Sequence, residues 1–102
     1  MKKVSIQDAR KFSLDKVQVR PLIEEGDLVS ELLCFEAGQS ADVRSFDRTV
    51  VYQVLEGEAL VSADDGKERL GKGRLLTVSP ATEHRVENAG GGLLVVLAIR
   101  PN

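Results

Sequence analysis

From Pro21 onward, short runs rich in valine and leucine alternate with turn residues. Residues 27–35, 50–55, 58–62, 74–78 and 93–99 are each predicted to be β-strands. Strands this closely spaced, with no helical segments between them, predict an antiparallel sandwich or barrel rather than alternating β-α units. Ala63-Asp64-Asp65-Gly66 carries an Asp-Gly step, which predicts a tight hairpin whose central residues tolerate positive φ. Gly57, Gly71-Lys72-Gly73 and Gly90-Gly91-Gly92 mark further turns. One segment reads as helical. Ser5-Ile6-Gln7-Asp8 fits a capping box and predicts a short helical turn through about Lys11.

Residues 93–99 are apolar on both faces, and so is much of 28–35. A barrel strand has one face in the core and the other in water unless something covers it. Left uncovered, such a strand is an aggregation hazard. A second copy of the chain is the expected cover, which predicts a homodimer. The alternative is the N-terminal segment folded back over its own barrel.

At 102 residues the chain makes one domain spanning 1–102, with no room for a second core. The formal charge of −2 and pI near 5.4 provide no basic field, so neither nucleic acid nor a membrane is an expected partner. Met1-Lys2-Lys3 imitates the head of a signal peptide, but Gln7, Asp8, Arg10 and Lys11 interrupt any apolar run after it; a cytoplasmic location is expected. The single cysteine, Cys34, lies between Leu33 and Phe35. It can form neither an internal disulfide nor a thiolate cluster, and reads as a small buried hydrophobe.

The only histidine, His84, lies eleven residues after Gly73 and four before Asn88. Upstream, Gly38 and Gly57 bracket the segment GQSADVRSFDRTVVYQVLEG. Together these segments resemble the paired motifs of the cupins. The resemblance covers residues 28 to 100 and implies an all-β fold, the cupin double-stranded β-helix or jelly-roll barrel. Most cupins build a metal site from two histidines and a glutamate in the first motif and one histidine in the second. At those positions this chain has Arg44, Phe46, Val50 and His84. Ser79 and Ala81 stand where the second motif has a proline and a glycine, and Pro80 is expected to rescue that turn.

One ligand nitrogen does not make a transition-metal site, so no metal and no other cofactor are expected. At about 4 Å and an effective dielectric near 20, Arg44 would repel a divalent cation by roughly 8 kcal/mol. Asp42, Asp47 and Glu83 are the carboxylates available for rescue, and only Asp42 is in phase with Arg44 along a strand. In the cupin register Arg44, Phe46, Val50, Tyr52 and His84 point inward, a largely apolar ligand site with a few polar groups. Each polar residue has a plainer role open to it. Arg44 pairs with one of those three carboxylates and plugs the mouth, Tyr52 is a core aromatic, and His84 bonds a carbonyl beside its turn.

The expected function is a metal-independent binding or sensing module for a small, anionic molecule. A metal-free isomerase or epimerase with His84 as base and Tyr52 as acid is the alternative. A metal-dependent oxygenase or isomerase trails, because the ligands for it are replaced.

Overall fold

The computed structural model describes residues 1–102 as one short helix and eight strands. In order they are α1 (Ile6–Ala9), β1 (Gln18–Glu25), β2 (Leu28–Phe35), β3 (Val50–Glu56), β4 (Glu58–Ala63), β5 (Gly66–Gly71), β6 (Leu75–Val78), β7 (His84–Asn88) and β8 (Leu94–Pro101). All strand pairings are antiparallel. One sheet has the order β1-β2-β8-β3-β6 and the other β5-β4-β7. Bridges Ser40↔Glu87 and Arg44↔His84 lay the 40–44 segment alongside β7, extending the smaller sheet.

Alternation decides what each face buries. Leu33, Phe35, Val50, Tyr52, Val54, Leu94, Val96 and Ala98 point between the sheets, where Ala59, Val61, Leu70 and Val86 meet them in a single core. On the outer face of the large sheet Leu32, Cys34 and Val95 form a second cluster, packed by Ile6, Ala9 and Phe12 of the N-terminal segment with Leu22 and Leu55. The fold-back expected as the alternative cover is therefore present over this part. Farther along the same face Leu97, Ile99 and Val51 are half-buried, while Leu28 and Leu75 are exposed. The helical turn begins as expected: the Ser5 hydroxyl oxygen accepts from the Asp8 N–H at 3.2 Å. No helix is long and apolar enough to cross a membrane.

Three expectations need correction. A strand that was not expected, β1, precedes the first predicted one and runs through Pro21, which is accommodated because β1 is an edge strand with a register shift between Pro21 and Glu24. In the β4–β5 hairpin Ala63 pairs with Gly66, so the two turn residues are Asp64 and Asp65; only Gly66 takes positive φ, at 147°. The turn before β7 is not rescued by Pro80. Ala81 itself adopts φ 58°, in the place where the resembled motif has glycine, and its N–H donates to the Phe46 carbonyl at 2.7 Å. A side chain in that region costs roughly 1–2 kcal/mol, so this turn carries strain.

Candidate functional site

Two segments of different origin meet at the open end of the large sheet. Arg44 and His84 exchange backbone hydrogen bonds of 2.9 Å in both directions, which places the 44–46 segment against the start of β7. On the large sheet Glu31 pairs with Ala98, and Ala98 pairs with Tyr52, so the three share one inward-facing row. The small Ala98 leaves space between the two longer side chains. Arg100, two residues along β8 from Ala98, points to the same side.

Tyr52 and His84 form a closed pair. The Tyr52 hydroxyl lies 2.7 Å from His84 Nε2, and His84 Nδ1 lies 2.8 Å from the Thr82 carbonyl oxygen. A carbonyl only accepts, so Nδ1 carries a proton, and in the neutral imidazole Nε2 then accepts from the tyrosine. The rings meet edge to face with centroids 5.5 Å apart. Tyr52 is 0% exposed and His84 2%. Burial pushes the Tyr52 hydroxyl above the ordinary tyrosine range; the Arg44 guanidinium opposes the rise, and Glu31 adds to it.

Tyr52 is the only tyrosine and tryptophan is absent, so absorbance titration of phenolate reads this group alone. A raised folded value means that the folded state holds the proton more tightly. Stability from this group is complete below about pH 10 and is lost as pH rises through the folded value. The expected trace shows phenolate above pH 10 only, together with unfolding. Ionisation near pH 10 in a still-folded protein would contradict the burial.

Arg44 meets a partner that the sequence did not suggest. Its Nη2 donates to Glu31 Oε1 at 2.7 Å, and Arg100 Nη2 stands 3.8 Å from the same oxygen. Asp42, Asp47 and Glu83, the carboxylates expected to pair with it, are exposed. Both guanidinium carbons lie over the Phe46 ring, at 4.7 Å for Arg44 and 4.4 Å for Arg100. Arg44 Nη1 and Arg100 Nε are buried and have no hydrogen-bond partner.

The expected site residues thus converge in part. Arg44, Phe46, Tyr52 and His84 come together, with Phe46 and His84 rings 6.1 Å apart. Val50 lies in the core beside Tyr52 and is 1% exposed. No single cavity is lined by all five. Arg44 lines a hollow of about 210 Å³ with Lys16, Val17, Val19 and Ser40, and Arg100 and Phe46 line a separate open depression of about 420 Å³. A groove of about 430 Å³ between β5 and β6 contains none of the five and no arginine, so volume alone does not locate the chemistry. Glu31 and Arg100 were missed, although strand parity contains the signal. Glu31 is in phase with Leu33 and Phe35, and Arg100 with Val96 and Ala98, so both are charges on a core-facing stripe.

Asn88 is a structural member. Its Nδ2 donates to the carbonyls of Glu36 at 3.0 Å and Gly92 at 2.8 Å, and its Oδ1 accepts from Gly90 N–H at 3.0 Å.

The residues do not fit the metal that the cupin pattern implies. No three His, Cys, Asp or Glu side chains converge anywhere in the chain. Both nitrogens of His84 are engaged, Glu31 is held by Arg44, and two guanidinium cations stand over the adjacent ring. Transition metals need several converging donors, which this arrangement does not supply.

The family described as Cupin domain matches residues 32–100. Among solved structures, a protein from Thermus thermophilus is similar with a TM-score of 0.89 at 20% identity, over 99% of this chain and 97% of that one. An uncharacterized conserved protein with a double-stranded beta-helix domain from Klebsiella pneumoniae is similar at 0.89 and 16%, over 99% and 90%. An RmlC-like cupin protein from Desulfovibrio desulfuricans is similar at 0.83 and 26%, over 99% and 97%. No curated protein matches the chain.

Proposed function

The chain belongs to the Cupin domain family, and on that premise we propose that it is a metal-independent barrel that binds a small anionic organic molecule at Arg44. The observation that carries this reading is the unpartnered Nη1 of Arg44, a buried cationic donor standing where the family has a metal-ligating histidine. A buried charged donor without a partner costs free energy, and an anion that accepts from it recovers the loss. Phe46 offers the apolar contact. Tyr52 and His84 stand behind as a fixed hydrogen-bonded wall, with Val50 filling the core beside them. The binding or sensing role would be intracellular, and two copies would pair through the outer face around Leu97, Ile99 and Leu75.

A second reading, a metal-free isomerase, is favoured by the 2.7 Å hydrogen bond between Tyr52 and His84, which sets an acid against a base. It ranks below binding because both side chains are closed to solvent.

A thermal-shift screen of small organic acids, sugar phosphates and neutral analogues tests the proposal. Small organic acids are expected to stabilise the wild type more than their neutral analogues do. Arg44→Ala is expected to weaken their binding by roughly 2–5 kcal/mol, and Arg44→Lys to restore little because the planar fork is lost. A lower melting temperature in Arg44→Ala with unchanged ligand stabilisation would reduce Arg44 to a plug held by Glu31.

A further inference from the structure

We infer that the ligand is a small organic monocarboxylate gripped by both Arg44 and Arg100, and that Glu31 sets the charge that the site accepts. This rests on the reading of Arg44 as an anion holder and adds the second arm and the charge rule. Two guanidiniums and one carboxylate are clustered here, with side chains only 17–20% exposed. The cluster therefore carries one uncompensated positive charge. Tyr52, hydrogen-bonded to His84 and held protonated by burial, adds no anion.

The donors left over agree with that count. Glu31 Oε1 serves Nη2 of both arginines, directly for Arg44 and at 3.8 Å for Arg100. What remains unserved is one buried N–H group on each arginine, Arg44 Nη1 and Arg100 Nε. A carboxylate has two oxygens and one charge, which matches two donors and one surplus cation. The Phe46 ring holds both guanidinium carbons within 5 Å and also lines the open depression, so the apolar body of the ligand would rest against the part of the ring that the arginines leave uncovered. Arg100 and Phe46 also border the open depression that includes Ser45, Asp47, Arg48 and Asn102, which provides an approach from solvent. Asp47 and Arg48 at its rim are exposed and opposite in sign.

Glu31 works against a doubly charged ligand. A phosphate ester or dicarboxylate would leave one negative charge in excess beside a fixed carboxylate, a repulsion that is substantial where water is largely excluded. The site should take benzoate and refuse phenyl phosphate, although both present the same ring.

Calorimetric titration at pH 8 with benzoate, phenyl phosphate and neutral benzamide reads this directly. The wild type is expected to bind benzoate at least about tenfold more tightly than phenyl phosphate, and benzamide weakly. Glu31→Gln, which raises the surplus to two, is expected to narrow or invert that ratio by at least about tenfold. The double variant Glu31→Gln/Arg100→Gln, with one surplus charge again, is expected to return to the benzoate preference. If Glu31→Gln does not fold, Arg100→Gln carries the test, with both anions weakened at least about tenfold. Binding that depends on Arg44 but keeps one benzoate-to-phosphate ratio in all variants overturns the charge rule and leaves the anion reading standing. Anion binding that survives Arg44→Ala, or no anion binding by the wild type, overturns both.

Discussion

Gly57→Ala is expected to cost about 2–5 kcal/mol of folding stability, enough to lower the melting temperature by more than about 10 °C. Two independent penalties meet at this position. Gly57 joins β3 to β4 with φ at 86°, where a side chain is strained. A Cβ there would also collide with the Leu93 carbonyl oxygen and press on the Leu94 backbone, and neither can move without disturbing the start of β8. Gly38 separates the two penalties. It has φ at 79° but nothing within 4 Å of a Cβ, so Gly38→Ala should cost only the strain, about 1–2 kcal/mol. Chemical denaturation of both variants measures the difference. Equal losses would mean that β8 does not approach Gly57 as described.

Glu31→Ala is expected to destabilise the free protein by about 2–4 kcal/mol, somewhat less than a fully buried pair because the side chains keep some contact with water. The loss comes from the arginines. Without Glu31 the guanidiniums of Arg44 and Arg100 remain close together in a largely dry mouth, each with donors unserved. The surface pair Lys2–Glu25 supplies the contrast, with side chains 57% and 63% exposed. Removing Glu25 should change stability by under about 0.5 kcal/mol. A similarly small effect at Glu31 would show that Arg44 and Arg100 are solvated in the free protein, and the case for an unmet anion partner would fall.

These two residues also mark where the sequence was readable and where it was not. Gly57, Gly73 and Asn88 lie in a spacing that implies the barrel, and the apolar runs predicted β2, β3, β4, β6 and β8 to within a residue or two at each end. β5 escaped because it is a solvent-facing edge strand in which only Leu70 of Gly66–Gly71 is buried, leaving no alternation to read. β7 escaped for a related reason: its inward residues are His84, Val86 and Asn88, and two of the three are polar. Arg44, Phe46, Tyr52 and His84 could be placed together because the cupin register assigns their faces. Glu31 and Arg100 lie outside that register, one in the middle of a run that reads as a plain core strand and the other just past the end of a second such run. Their role emerges only when β2 and β8 are paired and Arg44 is brought over from the opposite sheet.

The central claim is that an arginine-held anion occupies the place where the family's pattern would put a metal. Native mass spectrometry of protein purified without added metal, then exposed to Zn²⁺, Fe²⁺, Mn²⁺ and Ni²⁺ and desalted, tests it most directly. The account predicts a dimer with well under one metal ion per chain and, where a ligand is retained, a small organic acid that Arg44→Ala no longer holds. One tightly bound transition-metal ion per chain, lost on His84→Ala, would contradict it.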